Sequence, residues 1–299
     1  MTVQETLNQK LAQFPESGRQ TLSTIVTNHS FVGVISAAQA EVLAAQMTIS
    51  IDTLMDALVP VARFFAHPPI SNYNVGAIVQ GTSGSVYFGG NLEFPGLGVN
   101  MTVHGEQAAV VNAFLHGENG IDALAVNGTP CGHCRQFLAE INNPQLAIIY
   151  PKGGKMPLSE VLPHAFMPQA LGNKRGLLDP ISPLPELSLE TDDSLTQAAL
   201  QAARKSYAPY SQNWAGSAVR LANGRIVSAP YLESVAFNPC LSPLLNVWVS
   251  MSLRQESWHD IVDAVLVEQQ TSLSSQEPMC RALLATLVQE NVELRVHAI

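Results

Sequence analysis

Two cysteines three residues apart, Cys131 and Cys134, follow His104 at a distance of 27 residues, and Glu106 lies two residues beyond that histidine. Two thiols and one imidazole supply three of the four positions of a tetrahedral zinc ion and leave the fourth for water, the ligand count of a catalytic site. His133 is the nearest fourth donor, but it sits between the two cysteines, where its ring would tend to point away from a metal they share. Glu106 is too close to His104 on a helical start to share the metal, yet it can reach a water bound there, remove a proton and later return one. A bare Cys-x-x-Cys would read equally as a redox pair or a zinc knuckle. The upstream His-x-Glu and the preceding Pro130 point instead to metal-assisted attack by water, with a carboxyl group as proton carrier.

These residues need helix starts to hold them. A helix over residues 105–116 begins just after His104, and another begins after Pro130, so two N-termini with unpaired N–H groups converge on the metal and favour its thiolates. That offsets the weaker Lewis acidity of a zinc ion whose charge two thiolates cancel. Around them the pattern predicts a helix over 50–66, strands over 74–81 and 86–94 about the turn GTSGS, a strand in DALAVNG and another in LAIIYP. Residues 1–47 read as helices throughout.

The same α-β-β-α-β-α-β order recurs after a connector over 168–190 that holds four prolines. Adding 140 places Pro69 on Pro209, Ser71 on Ser211, Gly76 on Gly216, Gly84 on Gly224, Leu92 on Leu232 and Glu93 on Glu233. A constant offset through two strands and their turn marks two copies of one unit. It also puts Leu244 opposite His104, Asn246 opposite Glu106, Thr271 opposite Cys131 and Ser274 opposite Cys134, so the second copy is expected to bind no zinc. The expected division is 1–47 helical domain, 48–167 catalytic domain, 168–190 connector and 191–299 zinc-free repeat.

Hydrophobic residues make up 46% of the 299 positions and charged residues 13%, which suits a well-packed chain with no stretch resembling a membrane helix. The N-terminus lacks the basic start and apolar centre of a secretory signal, and Cys240 and Cys280 stand alone as core filling, so a cytoplasmic protein is expected. The net charge of −9, with no basic stripe, argues against long nucleic acid as a partner.

His-x-Glu followed by Pro-Cys-x-x-Cys is the signature of the zinc-dependent nucleobase deaminases. With YFGGNLEF and TPCGHCRQF in the first copy, and SYAPYSQNWAGSAV and NGRIVSAPYLES in the second, the chain resembles the cytidine deaminase family, specifically its larger dimeric type. The resemblance implies a three-layer α/β/α unit in two copies after a small all-α domain, one zinc per chain, and a symmetric homodimer. The implied activity is hydrolysis of cytidine and 2′-deoxycytidine to uridine and 2′-deoxyuridine in pyrimidine salvage, with water on zinc attacking C4 and Glu106 shuttling the protons. It further implies that Asn91 and Glu93 bind the ribose hydroxyl, that Gly105 and Thr129 lend backbone groups near the ring, and that Tyr73 and Phe166 form an aromatic wall.

Two departures stand out: Tyr73 where the family usually has Phe, and Gly105 in place of the commoner Ala. Without the resemblance, Asn91 and Glu93 read as a solvated strand end, Tyr73 and Phe166 as core or rim aromatics, and the recurrence of Glu93 as Glu233 as a sign of a partly structural role. A deaminase of a cytidine nucleotide or another amino-heterocycle, and a non-enzymatic zinc scaffold on the same fold, are the alternatives.

Overall fold

The computed structural model of the chain describes residues 3–151, 154–182, 184–288 and 292–299. It opens with helices α1 (Val3–Leu11) and α2 (Glu16–Val26), a short strand β1 (Val34–Ile35) and helix α3 (Ala37–Met47). The strand corrects the all-helical reading of this segment. Val34 and Ile35 pair antiparallel with Tyr87 and Val86, which joins the N-terminal segment to the edge of the following sheet. Two residues are too few to show a strand's alternation. Ser36 then starts α3 with a capping box, its hydroxyl accepting from Gln39 N–H while the Gln39 side chain accepts from Ser36 N–H.

The first unit contains α4 (Ile51–Ala62), β2 (Gly76–Gly81), β3 (Val86–Gly90), α5 (Gly105–Leu115), β4 (Ile121–Val126), α6 (Gly132–Ala139), β5 (Ala147–Tyr150), β6 (Gly154–Pro157) and the short α7 (Leu158–Val161). Its sheet runs β1-β3-β2-β4-β5-β6. Strand β2 is antiparallel to both neighbours, and β4 is parallel to β5. Two adjacent glycines reveal the layers. A Cβ on Gly90 would strike the Ala66 and Phe65 backbone just past α4, and one on Gly89 would come within 2.4 Å of Gly105 O in α5. Neighbouring residues of a strand face opposite sides, so α4 and α5 cover opposite faces of the sheet. This is the expected α/β/α sandwich. The close approach at Gly89 also seats the first turn of α5 directly on the strand.

The second unit repeats the plan with α8 (Ser194–Arg204), β7 (Gly216–Leu221), β8 (Ile226–Pro230), α9 (Pro243–Leu253), β9 (Ile261–Glu268), α10 (Glu277–Leu287) and β10 (Leu294–Ala298). The sheet order β10-β9-β7-β8 matches β5-β4-β2-β3 of the first. One apolar core runs from Leu7 to Leu294 through both units. Residues 168–190 are more than a connector, because Leu177, Leu178 and Leu187 are buried in it.

The offset of 140 holds through the first hairpin of each unit and fails beyond it. Leu92 bridges Val103 in the first copy and Leu232 bridges Leu241 in the second, so the intervening loop is two residues shorter there. Ser242 therefore stands at the His104 position and Leu244 at the Glu106 position, each serine or histidine preceding its helix. The buried faces of α6 (Cys134, Phe137, Leu138) and α10 (Cys280, Leu283, Leu284) align in turn, placing Cys280 on Cys134 and Glu277 on Cys131. This replaces the pairing with Leu244, Asn246, Thr271 and Ser274 expected from a constant offset. The ligand set is dismantled all the same: Ser242 Oγ lies 3.4 Å from Cys280 Sγ in a small buried polar cluster, and Glu277 turns to Arg281 on the surface. Among the described residues, no single helix is long and apolar enough to cross a membrane.

Candidate active site

His104 is the residue before α5 and Cys131 the residue before α6, as the sequence pattern predicts. Cys134, one turn into α6, is buried, while Cys131 is exposed. The sulfurs of Cys131 and Cys134 are 3.6 Å apart, and His104 Nδ1 lies 3.5 Å from the first and 3.3 Å from the second. A tetrahedral zinc with bonds of about 2.3 Å to sulfur and about 2.0–2.1 Å to nitrogen has edges of roughly 3.5–3.8 Å, so the three donors fit the metal to within a few tenths of an ångström. They are the one cluster of such side chains among the described residues.

The electrostatics of the cluster point the same way. Hydrogen bonds from Cys134 and then His104 pull the Cys131 thiol down to about 3. The contact with Cys131, followed by burial, pushes the Cys134 thiol strongly up. Its bond to Cys131 holds the His104 imidazole above its ordinary value against the effect of burial. Glu106, 4% exposed, is raised by burial against the opposing influence of the neighbouring Cys134 thiol.

A cavity of about 260 Å³ opens beside the cluster, lined by Ser71, Tyr73, Asn91, Glu93 and Glu106 among others, with Gly105 and Thr129 also in its wall. No lysine or arginine among the described residues lines it. Glu93 Oε2 accepts from the N–H groups of Ile70 (2.9 Å) and Ser71 (2.8 Å), and Oε1 accepts from Ser71 Oγ (2.5 Å). Against the burial that would raise it, these donors hold Glu93 below the usual carboxylate range. Asn91 accepts from Val75 N–H through Oδ1 and donates through Nδ2 to Tyr73 O. One lone pair on Glu93 Oε1 and one N–H of Asn91 stay available, so a hydroxyl could donate to the first and accept from the second. Glu233 repeats the first pattern with Tyr210 N–H and with the Ser211 backbone and hydroxyl, which identifies the scaffolding share of this carboxylate's role.

Tyr73 is 56% exposed at the cavity wall, with its hydroxyl 3.5 Å from Asn127 Nδ2. Phe166 stands outside the lining at 46% exposure, and its carbonyl accepts from Gln136 Nε2. A Cβ at Gly105 would lie 2.9 Å from a Val75 methyl, which gives the glycine a steric reason in this chain. His133 stacks on His104 with ring centroids 4.9 Å apart. Sequence reasoning missed Ser71, which orients Glu93, and Gln107, whose side chain accepts from His104 N–H at 3.0 Å. The constant-offset match of Ser71 with Ser211 was a signal for the former. Nothing in the sequence signalled the latter.

The family described as "Cytidine and deoxycytidylate deaminase zinc-binding region" matches residues 48–149 and again residues 158–281. The chain is 38% identical over 286 residues to a cytidine deaminase of Aliivibrio fischeri, covering 95% of each chain. It is 39% identical to that of Cronobacter sakazakii over 95% of this chain and 96% of the relative. Among solved structures, a cytidine deaminase from Mycobacterium tuberculosis is 30% identical, with a TM-score of 0.36, over 38% of this chain and 95% of that one.

Proposed function

The chain belongs to the cytidine and deoxycytidylate deaminase family, and from that membership we propose the roles its residues play. It is a zinc-dependent enzyme that hydrolyses cytidine and 2′-deoxycytidine to uridine and 2′-deoxyuridine with release of ammonia. His104, Cys131 and Cys134 hold the zinc. The observation that carries this assignment is the convergence of their three donor atoms beside the buried Glu106, at the wall of a cavity that also presents Asn91 and Glu93. When bound, the ion supplies the Lewis acid that makes water nucleophilic near neutral pH.

Glu106 carries the two protons of the attacking water, one to N3 of the cytosine ring and one to the departing amine, so that cytidine and water leave as uridine and ammonia. Asn91 and Glu93 take a sugar hydroxyl through their two free hydrogen-bonding sites. Gly105 and Thr129 border the ring, and Tyr73 serves as its aromatic wall, while Phe166 lies outside the lining within this chain.

The free nucleoside is the substrate favoured by the site's charge. A phosphate on the sugar would meet Glu93 with no lysine or arginine among the described residues lining the cavity. Two like charges about 5 Å apart at an effective dielectric of about 20 repel by about 3 kcal/mol. Ammonia release is therefore expected to show a kcat/KM at least about 100-fold lower for cytidine monophosphate than for cytidine, with single-stranded DNA unmodified. Comparable rates on nucleoside and monophosphate would assign the chain to a nucleotide deaminase.

The family resemblance also supports a symmetric homodimer, the commonest closed assembly. The exposed aromatics Tyr73, Phe166 and Phe237 are surfaces such pairing would cover. Sedimentation of the active protein at the mass of two chains is the expected result, and an active monomer would refute the dimer.

A further inference from the structure

The two helices that carry the candidate zinc ligands are both tied to one loop of the metal-free copy, residues 234–240. Glu140, at the C-terminal end of α6, is fully buried. Its Oε1 accepts from the hydroxyls of Tyr207 (2.6 Å) and Tyr210 (2.5 Å), and its Oε2 accepts from Val235 N–H (2.7 Å). All three donors belong to the second copy. At the other helix, Gln107 in the first turn of α5 donates through Nε2 to Pro239 O (3.1 Å), while its Oε1 accepts from His104 N–H.

The loop itself is braced. Ser234 N–H donates to Cys240 Sγ (3.1 Å), Phe237 N–H to Ser234 O and Cys240 N–H to Phe237 O. A compact turn thus grips α6 at Val235 and α5 at Pro239. Asn173 Nδ2 donates to the Tyr207 hydroxyl (2.7 Å), and Leu177 N–H donates to Glu140 O, so the 168–190 segment closes over the same anchor.

Three ligands drawn from two helices form a metal site only if those helices keep their separation to within tenths of an ångström. We infer that the loop 234–240 and the Tyr207–Glu140–Tyr210 cluster act as a staple that holds α5 and α6 in metal-binding register, with Glu140 and Gln107 as positioning residues. This gives the metal-free copy a task within its own chain. It rests on His104, Cys131 and Cys134 being the zinc ligands. A carboxylate sealed among two tyrosines and an amide has little freedom to move, so the hold is stiff. Groups that orient a metal site from behind its ligands typically govern affinity by about 10–100-fold.

The test removes hydroxyls in the second copy and reads the metal in the first. Tyr207→Phe/Tyr210→Phe protein is incubated with a zinc-binding chelator well below its melting temperature, and zinc transfer is timed. The cobalt-substituted protein reports ligand geometry through its thiolate charge-transfer band. Leu200→Ala, in the separate small core of the second copy, serves as a control that lowers stability without touching the staple.

The expected result is zinc loss about tenfold or more faster in the double variant, with a shifted cobalt band, and no such change in Leu200→Ala despite its lower melting temperature. If the double variant does not fold, Tyr210→Phe, which keeps the Tyr207–Glu140 bond, decides on the same readouts. Zinc retained within twofold in the tyrosine variants would overturn the staple alone. An unaltered protein that takes up no zinc would overturn the ligand assignment and the staple with it.

Discussion

Replacing Glu106 with Gln is expected to lower turnover of cytidine by about 10⁴-fold or more while the zinc stays bound. The side chain is buried, lines the cavity beside His104 and contacts the Cys134 thiol, but it is not one of the three converging donors. Glutamine keeps its size and cannot take up or release the proton. General acid-base catalysis is commonly worth about 10²–10⁴-fold, and a group that serves the ring nitrogen, the water and the leaving amine in one cycle should lie at or beyond the upper end. Asn91, Glu93 and the cavity walls are untouched, so the loss should fall on kcat and leave KM within severalfold. Steady-state kinetics beside a zinc assay checks this. Zinc released by Glu106→Gln but kept by His104→Ala would reverse the roles given to the two residues.

The second large effect separates the four cysteines. Cys131→Ala, Cys134→Ala and His104→Ala each remove one corner of the donor set, and zinc and activity should vanish together. A complete set of zinc ligands is worth about 10–16 kcal/mol, so one lost corner should weaken binding on the order of 10³-fold. Cys240→Ala and Cys280→Ala should still take up one zinc per chain, with faster release only where Cys240 no longer braces the loop 234–240. Cys280 is fully buried against Ser242 and Ser217, so its truncation should cost about 1–2 kcal/mol of stability. That cost would appear in denaturant unfolding and not in the metal assay. Zinc lost from Cys280→Ala at a temperature where the protein stays folded would place a ligand in the second copy.

Much of the site was legible because its chemistry is written in short spacings. His104 and Cys131 precede helices that begin where the glycine and proline around them suggest, and the hairpin β2–β3 repeats as β7–β8 with no change in register. Beyond the hairpin, a loop two residues shorter and then a longer stretch before α10 break the numerical offset, and only the bridges and buried faces restore the correspondence of Ser242 with His104 and Cys280 with Cys134. Strand β1 escaped notice because pairing with β3, and not any local pattern, makes Val34 and Ile35 extended. Glu140 and Gln107 escaped because their partners lie 67 and 132 residues away, and a lone Glu or Gln on a helix looks the same whether it faces solvent or another unit. The polar groups that join the copies are tertiary facts.

The central claim is that a single zinc ion in the first copy serves the deamination of free cytidine. Stripping the protein of metal and titrating zinc back while following ammonia release from cytidine tests it most directly. Activity should be absent at the start, rise in proportion to added zinc and level off at one ion per chain. A plateau at two ions, or full ammonia release from the stripped protein, would contradict it.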